Sequence, residues 1–199
     1  TAAAVTVDGK QAISASGYAL KLWNLATGQQ LLTLIGHSSL VTAVTVTADG
    51  KQAISASWDK TLKLWNLATG QQLLTLKGHS DWVNAVALTT DGKQAISASR
   101  DNTLKLWDLA TGKELRILKG HSEEVTAVAV TADGKRAISA SSDNTLKLWN
   151  LQTGGVIASF TVDGSINCCA VAPDGLTLVA GEASGRVLFL RLEGIEASP

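Results

Sequence analysis

His79, Ser97 and Asp101 are the side chains of nucleophilic hydrolysis, in which an imidazole takes a hydroxyl proton and a carboxylate holds the imidazole in place. The same three residue types recur in two other units of the chain. Three near-identical active sites in one small protein would be redundant, whereas identical folding contacts are what a repeated unit must carry. The even spacing of His37, His79 and His121 also raises metal binding. One imidazole per unit does not converge on one ion, and Cys168–Cys169 with no nearby histidine lacks zinc-ligand spacing, so neither a metal nor a cofactor is expected. There is no phosphate-binding loop, and Gly181–Glu182–Ala183–Ser184–Gly185 reads as a hairpin turn.

The elements that position these residues repeat around Asn102–Thr103–Leu104–Lys105–Leu106–Trp107–Asp108. Its near-copies place tryptophans at 23, 65, 107 and 149, an interval of 42 residues that marks stacked supersecondary units. In the third unit the apolar run Val83–Leu88 leads through Thr90–Asp91–Gly92–Lys93, a tight turn, into Gln94–Ser99. Arg100–Asp101–Asn102 turns the chain into Thr103–Trp107, and after Leu109–Gly112 the alternating Glu114–Leu118 forms the most solvated strand. Asp-Gly and Thr-Gly breaks leave no room for helices. Four short strands per unit, three of them poor in charge, predict an all-β chain of four-stranded antiparallel sheets arranged radially as a β-propeller.

Composition narrows the function. With 17 basic and 17 acidic residues the chain is formally neutral, which argues against nucleic acid or an anionic membrane surface as partner. No apolar run is long enough to span a bilayer and no signal peptide precedes Ala2, so a cytoplasmic location is expected. Cys168 and Cys169 are expected to be buried free thiols, because a disulfide between strand neighbours would be strained. Methionine is absent throughout, position 1 included, which leads us to expect a piece of a longer protein.

Gly36–His37 leads to Trp65–Asn66, Gly78–His79 to Trp107–Asp108, and Gly120–His121 to Trp149–Asn150, each with 28 residues from His to Trp. This pattern resembles the WD40 repeat family and covers nearly the whole chain. The resemblance implies a structural hydrogen-bond network of His, a strand serine, the turn Asp and Trp. The matching sets are His37, Ser55, Asp59 and Trp65; His79, Ser97, Asp101 and Trp107; and His121, Ser139, Asp143 and Trp149. Ser57 and its equivalents compete with Ser55 for the hydroxyl role. Nearly identical units also resemble those of bacterial, particularly cyanobacterial, multidomain proteins, where such propellers follow a signalling NTPase or kinase. The implied role is a non-enzymatic scaffold or sensor that binds protein, with a small-ligand or glycan propeller bearing repeated sites as the alternative.

The units run over residues 1–35, 36–77, 78–119, 120–161 and 162–199. The first begins at a strand, Ala3–Val7, and its turn Gly17–Tyr18–Ala19 lacks the aspartate. The fifth has Val162–Asp163 in place of Gly-His and Gly185–Leu192 in place of the tryptophan strand, and Glu193–Pro199 makes a poor fourth strand. Such a chain is expected to leave its ring open, inviting self-association through exposed edges. Positions that differ between copies cluster on one rim, at Tyr18, Trp58 and Arg100 in the second turns and at Trp82 in a loop between units. Aromatics and arginine are what interface hot spots favour, so this rim is the candidate partner surface.

Overall fold

Turn chemistry at short intervals cuts the apolar runs into strands of mostly six residues. Thr89 Oγ donates to Asp91 at 2.6 Å, Asp91 accepts the Lys93 N–H at 3.0 Å, and Gly92 supplies a φ of +66° that a side chain would resist. The structure, a computed structural model, describes residues 2–193. The first sheet holds β1 (Ala3–Val5), β2 (Gln11–Ser16), β3 (Ala19–Asn24) and β4 (Gln30–Ile35). The second holds β5 (Val41–Val46), β6 (Gln52–Ser57), β7 (Thr61–Asn66) and β8 (Gln72–Lys77). The third holds β9 (Val83–Leu88), β10 (Gln94–Ser99), β11 (Thr103–Asp108) and β12 (Glu114–Lys119). The fourth holds β13 (Val125–Val130), β14 (Arg136–Ser141), β15 (Thr145–Asn150) and β16 (Val156–Thr161). The fifth has three strands, β17 (Ile166–Val171), β18 (Thr177–Glu182) and β19 (Val187–Arg191). Each sheet is an antiparallel meander in chain order.

The core lies between sheets. Ile96, Leu104, Leu106 and Leu118 of the third sheet pack against Val125, Val128, Ala137, Trp149 and Leu151 of the fourth. Equivalent clusters fill the other junctions, so both faces of an inner sheet are buried, at about 1.5–3 kcal/mol per large apolar side chain. The first strand of each sheet lies against the first strand of the next. There the chain uses a bulge. The register between β5 and β6 slips at Thr42, between β9 and β10 at Asn84, and between β13 and β14 at Thr126. The freed side chain crosses to the next sheet: Thr42 Oγ donates to the Val83 carbonyl at 2.6 Å, Asn84 Nδ2 to Val125 at 3.0 Å, and Thr126 Oγ to Ile166 at 2.6 Å. Re-aiming a side chain is what a bulge does, and here it ties sheet to sheet.

The arrangement is an unclosed β-propeller. Val187 and Phe189 stand exposed on the outer face of the fifth sheet, as Val5 does on the first. Phe160 is exposed although its counterparts Leu34, Leu76 and Leu118 are buried, because among the described residues β19 has no fourth strand beside it to cover that side chain. The expected poor strand falls largely on residues 194–199, outside the described residues. No described helix is long and apolar enough to cross a membrane.

Two expectations need correction. The first strand ends at Val5 and not Val7, since Thr6 turns the chain by bonding Asp8 at 2.7 Å. The cysteines are free but not both buried: Cys168 is exposed and Cys169 half-buried. Neighbouring strand residues face opposite sides, and Cys168 takes the side of the fifth sheet that no further sheet covers.

Candidate functional site

The strand register decides which serine meets the histidine. Ser97 pairs with Lys105 across β10 and β11, two residues from the Ala95–Trp107 pair, which carries its hydroxyl under the indole. The Asp101 carboxylate can only accept, so His79 Nδ1–H donates to it, at 2.7 Å. That leaves Nε2 to accept from the Ser97 hydroxyl at 2.7 Å, while Ser97 Oγ accepts the Trp107 Nε1–H at 2.9 Å. Asp101 also accepts the Ser80 N–H and the Thr103 N–H, both at 3.0 Å, and the Thr103 hydroxyl at 2.6 Å.

The second sheet repeats this with His37–Asp59 at 2.7 Å, His37–Ser55 at 2.8 Å and Trp65–Ser55 at 2.8 Å. The fourth has His121–Asp143 at 2.8 Å, His121–Ser139 at 2.6 Å and Trp149–Ser139 at 2.8 Å. Ser57, Ser99 and Ser141 serve the loop instead, accepting the N–H of Asp59, Asp101 and Asp143. A side chain on Gly36 would come within 2.9 Å of the Trp65 ring, which is why glycine precedes that histidine.

Burial opposes ionisation of all three aspartates, yet their hydrogen bonds outweigh it. Asp59 and Asp101 are held far below the usual carboxylate range and Asp143 down to about 2. Burial also pushes His121 below the ordinary histidine value, against the pull of Asp143. These sets cannot work as hydrolase triads in this arrangement. Ser55, Ser97 and Ser139 expose no surface, and each hydroxyl oxygen is already held by an indole N–H.

The end sheets differ. In the first, Trp23 donates to Ser14 at 2.9 Å, no histidine completes the set, and the ring is only half-buried. In the fifth, Ala180 stands at the serine position and Leu190 at the tryptophan position, with Val162 entering from the loop that elsewhere carries Gly-His. All three lie in one apolar cluster. Replacing every partner together leaves no buried group unpaired, so the exchange carries little penalty.

On the rim formed by the second turns and the loops between sheets, the side chains make a row. Trp58 and Trp82 stack with 4.2 Å between ring centroids and 15° between planes, joining the turn of the second sheet to the loop that enters the third. The Arg100 guanidinium covers the other side of this pair, 4.6 Å from the Trp82 ring, and approaches Glu124 at 4.0 Å. Glu124 Oε1 accepts from Ser142 at 3.3 Å. Both indoles are half-buried and Arg100 is exposed.

Among known protein families, the model described as the WD domain, G-beta repeat matches residues 28–66 and 70–108, and the one described as the TEP-1 C-terminal beta-propeller matches residues 121–192. The chain belongs to the WD40 repeat propeller family. A comparison with curated proteins found no match. Propellers of this family generally mediate protein–protein interaction and are typically scaffolds, so in this WD40 chain the rim is the first place to look for recognition.

Of the four rim residues singled out from sequence, the WD40 fold brings Trp58, Trp82 and Arg100 into one stack. Tyr18 stands apart, exposed in the shortened turn of the first sheet, with no ring contact to them. Glu124 was visible only as part of a variable loop; its position beside Arg100 follows from the sheet geometry. The bulge residues Thr42, Asn84 and Thr126 went unnoticed, although a polar side chain at one fixed place in each apolar run was there to be seen. No cluster of three or more histidine, cysteine or acidic residues among the described residues could hold a metal ion.

Proposed function

We propose that this chain is a protein-binding platform, the scaffold or sensor part of a longer signalling protein, and that it recognises its partner on the rim built by Trp58, Trp82 and Arg100. The observation that carries this reading is the half-exposed Trp58–Trp82 stack with Arg100 upon it. Large rigid aromatics and an arginine, already ordered against one another, lose little freedom on binding and bury much apolar area. A cytoplasmic location fits the exposed free thiol of Cys168, which a reducing compartment would preserve.

The reading as a ligand-binding propeller with one site per sheet has less support, since the grooves between sheets differ in size and lining. The test is to capture partners by cross-linking to the folded chain and compare them with those captured by a Tyr18→Ala, Trp58→Ala, Arg100→Ala variant. Loss of the same partners from a variant with an unchanged fold supports the rim. Unchanged binding of every captured partner refutes it.

A further inference from the structure

Three positions at which the fourth repeat junction departs from the others converge on one groove, on the rim opposite the tryptophan stack. Arg116 stands where the first two sheets have Leu32 and Leu74; Arg136 stands where the second and third have Gln52 and Gln94; Gln152 stands where they have Ala68 and Ala110. All three line a groove of about 580 Å³ between the third and fourth sheets. The groove at the same place between the first and second sheets holds about 260 Å³ and carries a single cation, Lys51.

The larger groove has three cationic side chains, Arg116, Lys135 and Arg136, and no carboxylate in its lining. Arg136 has a distant ion-pair contact with Asp133 at 3.8 Å, and that carboxylate already accepts from Thr131 and from the Lys135 N–H. No ion-pair partner is found for Arg116 or Lys135 among the described residues. The stem of Arg116 takes over the packing role of the leucines it replaces. Its Cδ lies 3.5 Å from where a side chain on Gly154 would begin, as Leu32 and Leu74 lie against Gly70 and Gly112. The guanidinium is therefore free to reach the groove while its stem stays packed. Side-chain amides line the wall and leucines the floor, among them Leu106 and Leu151.

We propose that this groove binds a phosphorylated small molecule, its phosphate held by Arg116, Lys135 and Arg136 and its organic body resting on the leucine floor. Three cations exceed what a single carboxylate would neutralise. A phosphate monoester brings nearly two negative charges at neutral pH and oxygens that match the arginine fork. The volume is that of a metabolite-sized site.

The test uses calorimetric titration of the whole chain with adenosine diphosphate and, separately, with inorganic pyrophosphate. The comparison variant is Arg116→Leu, Arg136→Gln, Gln152→Ala, which gives this junction the residues of its neighbours and so should fold as they do. Saturable one-to-one binding of the diphosphate nucleoside, weakened about tenfold or more in the variant, supports the site. Weaker binding of pyrophosphate supports the role of the floor, and equal binding refutes that role. Absence of saturable binding to the parent chain at millimolar ligand, or equal affinity in the variant, overturns the proposal. Because the substitutions lie on the rim opposite Trp58, neither result bears on the protein-binding reading.

Discussion

Trp58 and Trp82 lie 24 residues apart in sequence and on different sheets, yet their indoles stack almost parallel with 4.2 Å between centroids. The contact bridges two sheets outside the core, so it couples the junction to the rim. Truncating either ring in the unbound protein should cost little. A double-mutant cycle with Trp58→Ala and Trp82→Ala is expected to give a coupling of about 0.5–1.5 kcal/mol in denaturant unfolding. A coupling near zero would mean that the stack contributes nothing in solution.

Trp107→Ala should lower stability by about 3–5 kcal/mol, because it leaves a cavity and deprives the buried Ser97 of a donor. Trp23→Ala should cost only ~1–2 kcal/mol, since that ring is half-exposed and its serine serves no histidine. Urea midpoints of the two variants check the order. Equal losses would show that the full hydrogen-bonded set adds nothing to the packing.

Stability should fall on acidification in two stages. Folding lowers the His121 value, so the unfolded chain takes up that proton first. Its contribution is complete above about pH 6.5 and declines as pH drops from there through the folded value. Asp143, held at about 2 when folded, contributes fully above about pH 4, and that contribution is lost as pH falls towards 2. Histidine-detected NMR should find His121 neutral at pH 7, protonated on Nδ1, with a midpoint below the ordinary histidine value. A midpoint above it would reverse the first stage.

One thiol per folded chain should react promptly with a disulfide reagent. Cys168 is exposed, whereas burial pushes Cys169 up to about 12 and keeps it from forming thiolate. A Cys168→Ser variant should therefore react only on unfolding. Prompt reaction of that variant would place Cys169 in solvent.

The repeat, its four strands and its turns were legible because glycine, aspartate and alternation act locally. Less legible was whatever depends on register. Ser55 and Ser57 are two apart and share a face, so alternation cannot choose between them; the pairing of Ala53 with Trp65 does. Lys63 and Lys105 look like solvated positions in an alternating strand, yet both are buried, because the outer strand covers them and offers Gln72 and Glu114 as partners. Arg116 and Arg136 were visible as departures from the repeat, but they are distant in sequence and only the packing of adjacent sheets makes them neighbours.

The fifth sheet's wholesale exchange of polar partners for Val162, Ala180 and Leu190 also constrains how one kind of sheet could become the other. A serine introduced alone at 180, or a tryptophan alone at 190, would bury a polar group with no mate, at roughly 1–3 kcal/mol each. Only the complete set recovers that loss. The two solutions are thus separate peaks on the mutational landscape, and the passage between them that avoids the valley is the copying of a whole 42-residue unit.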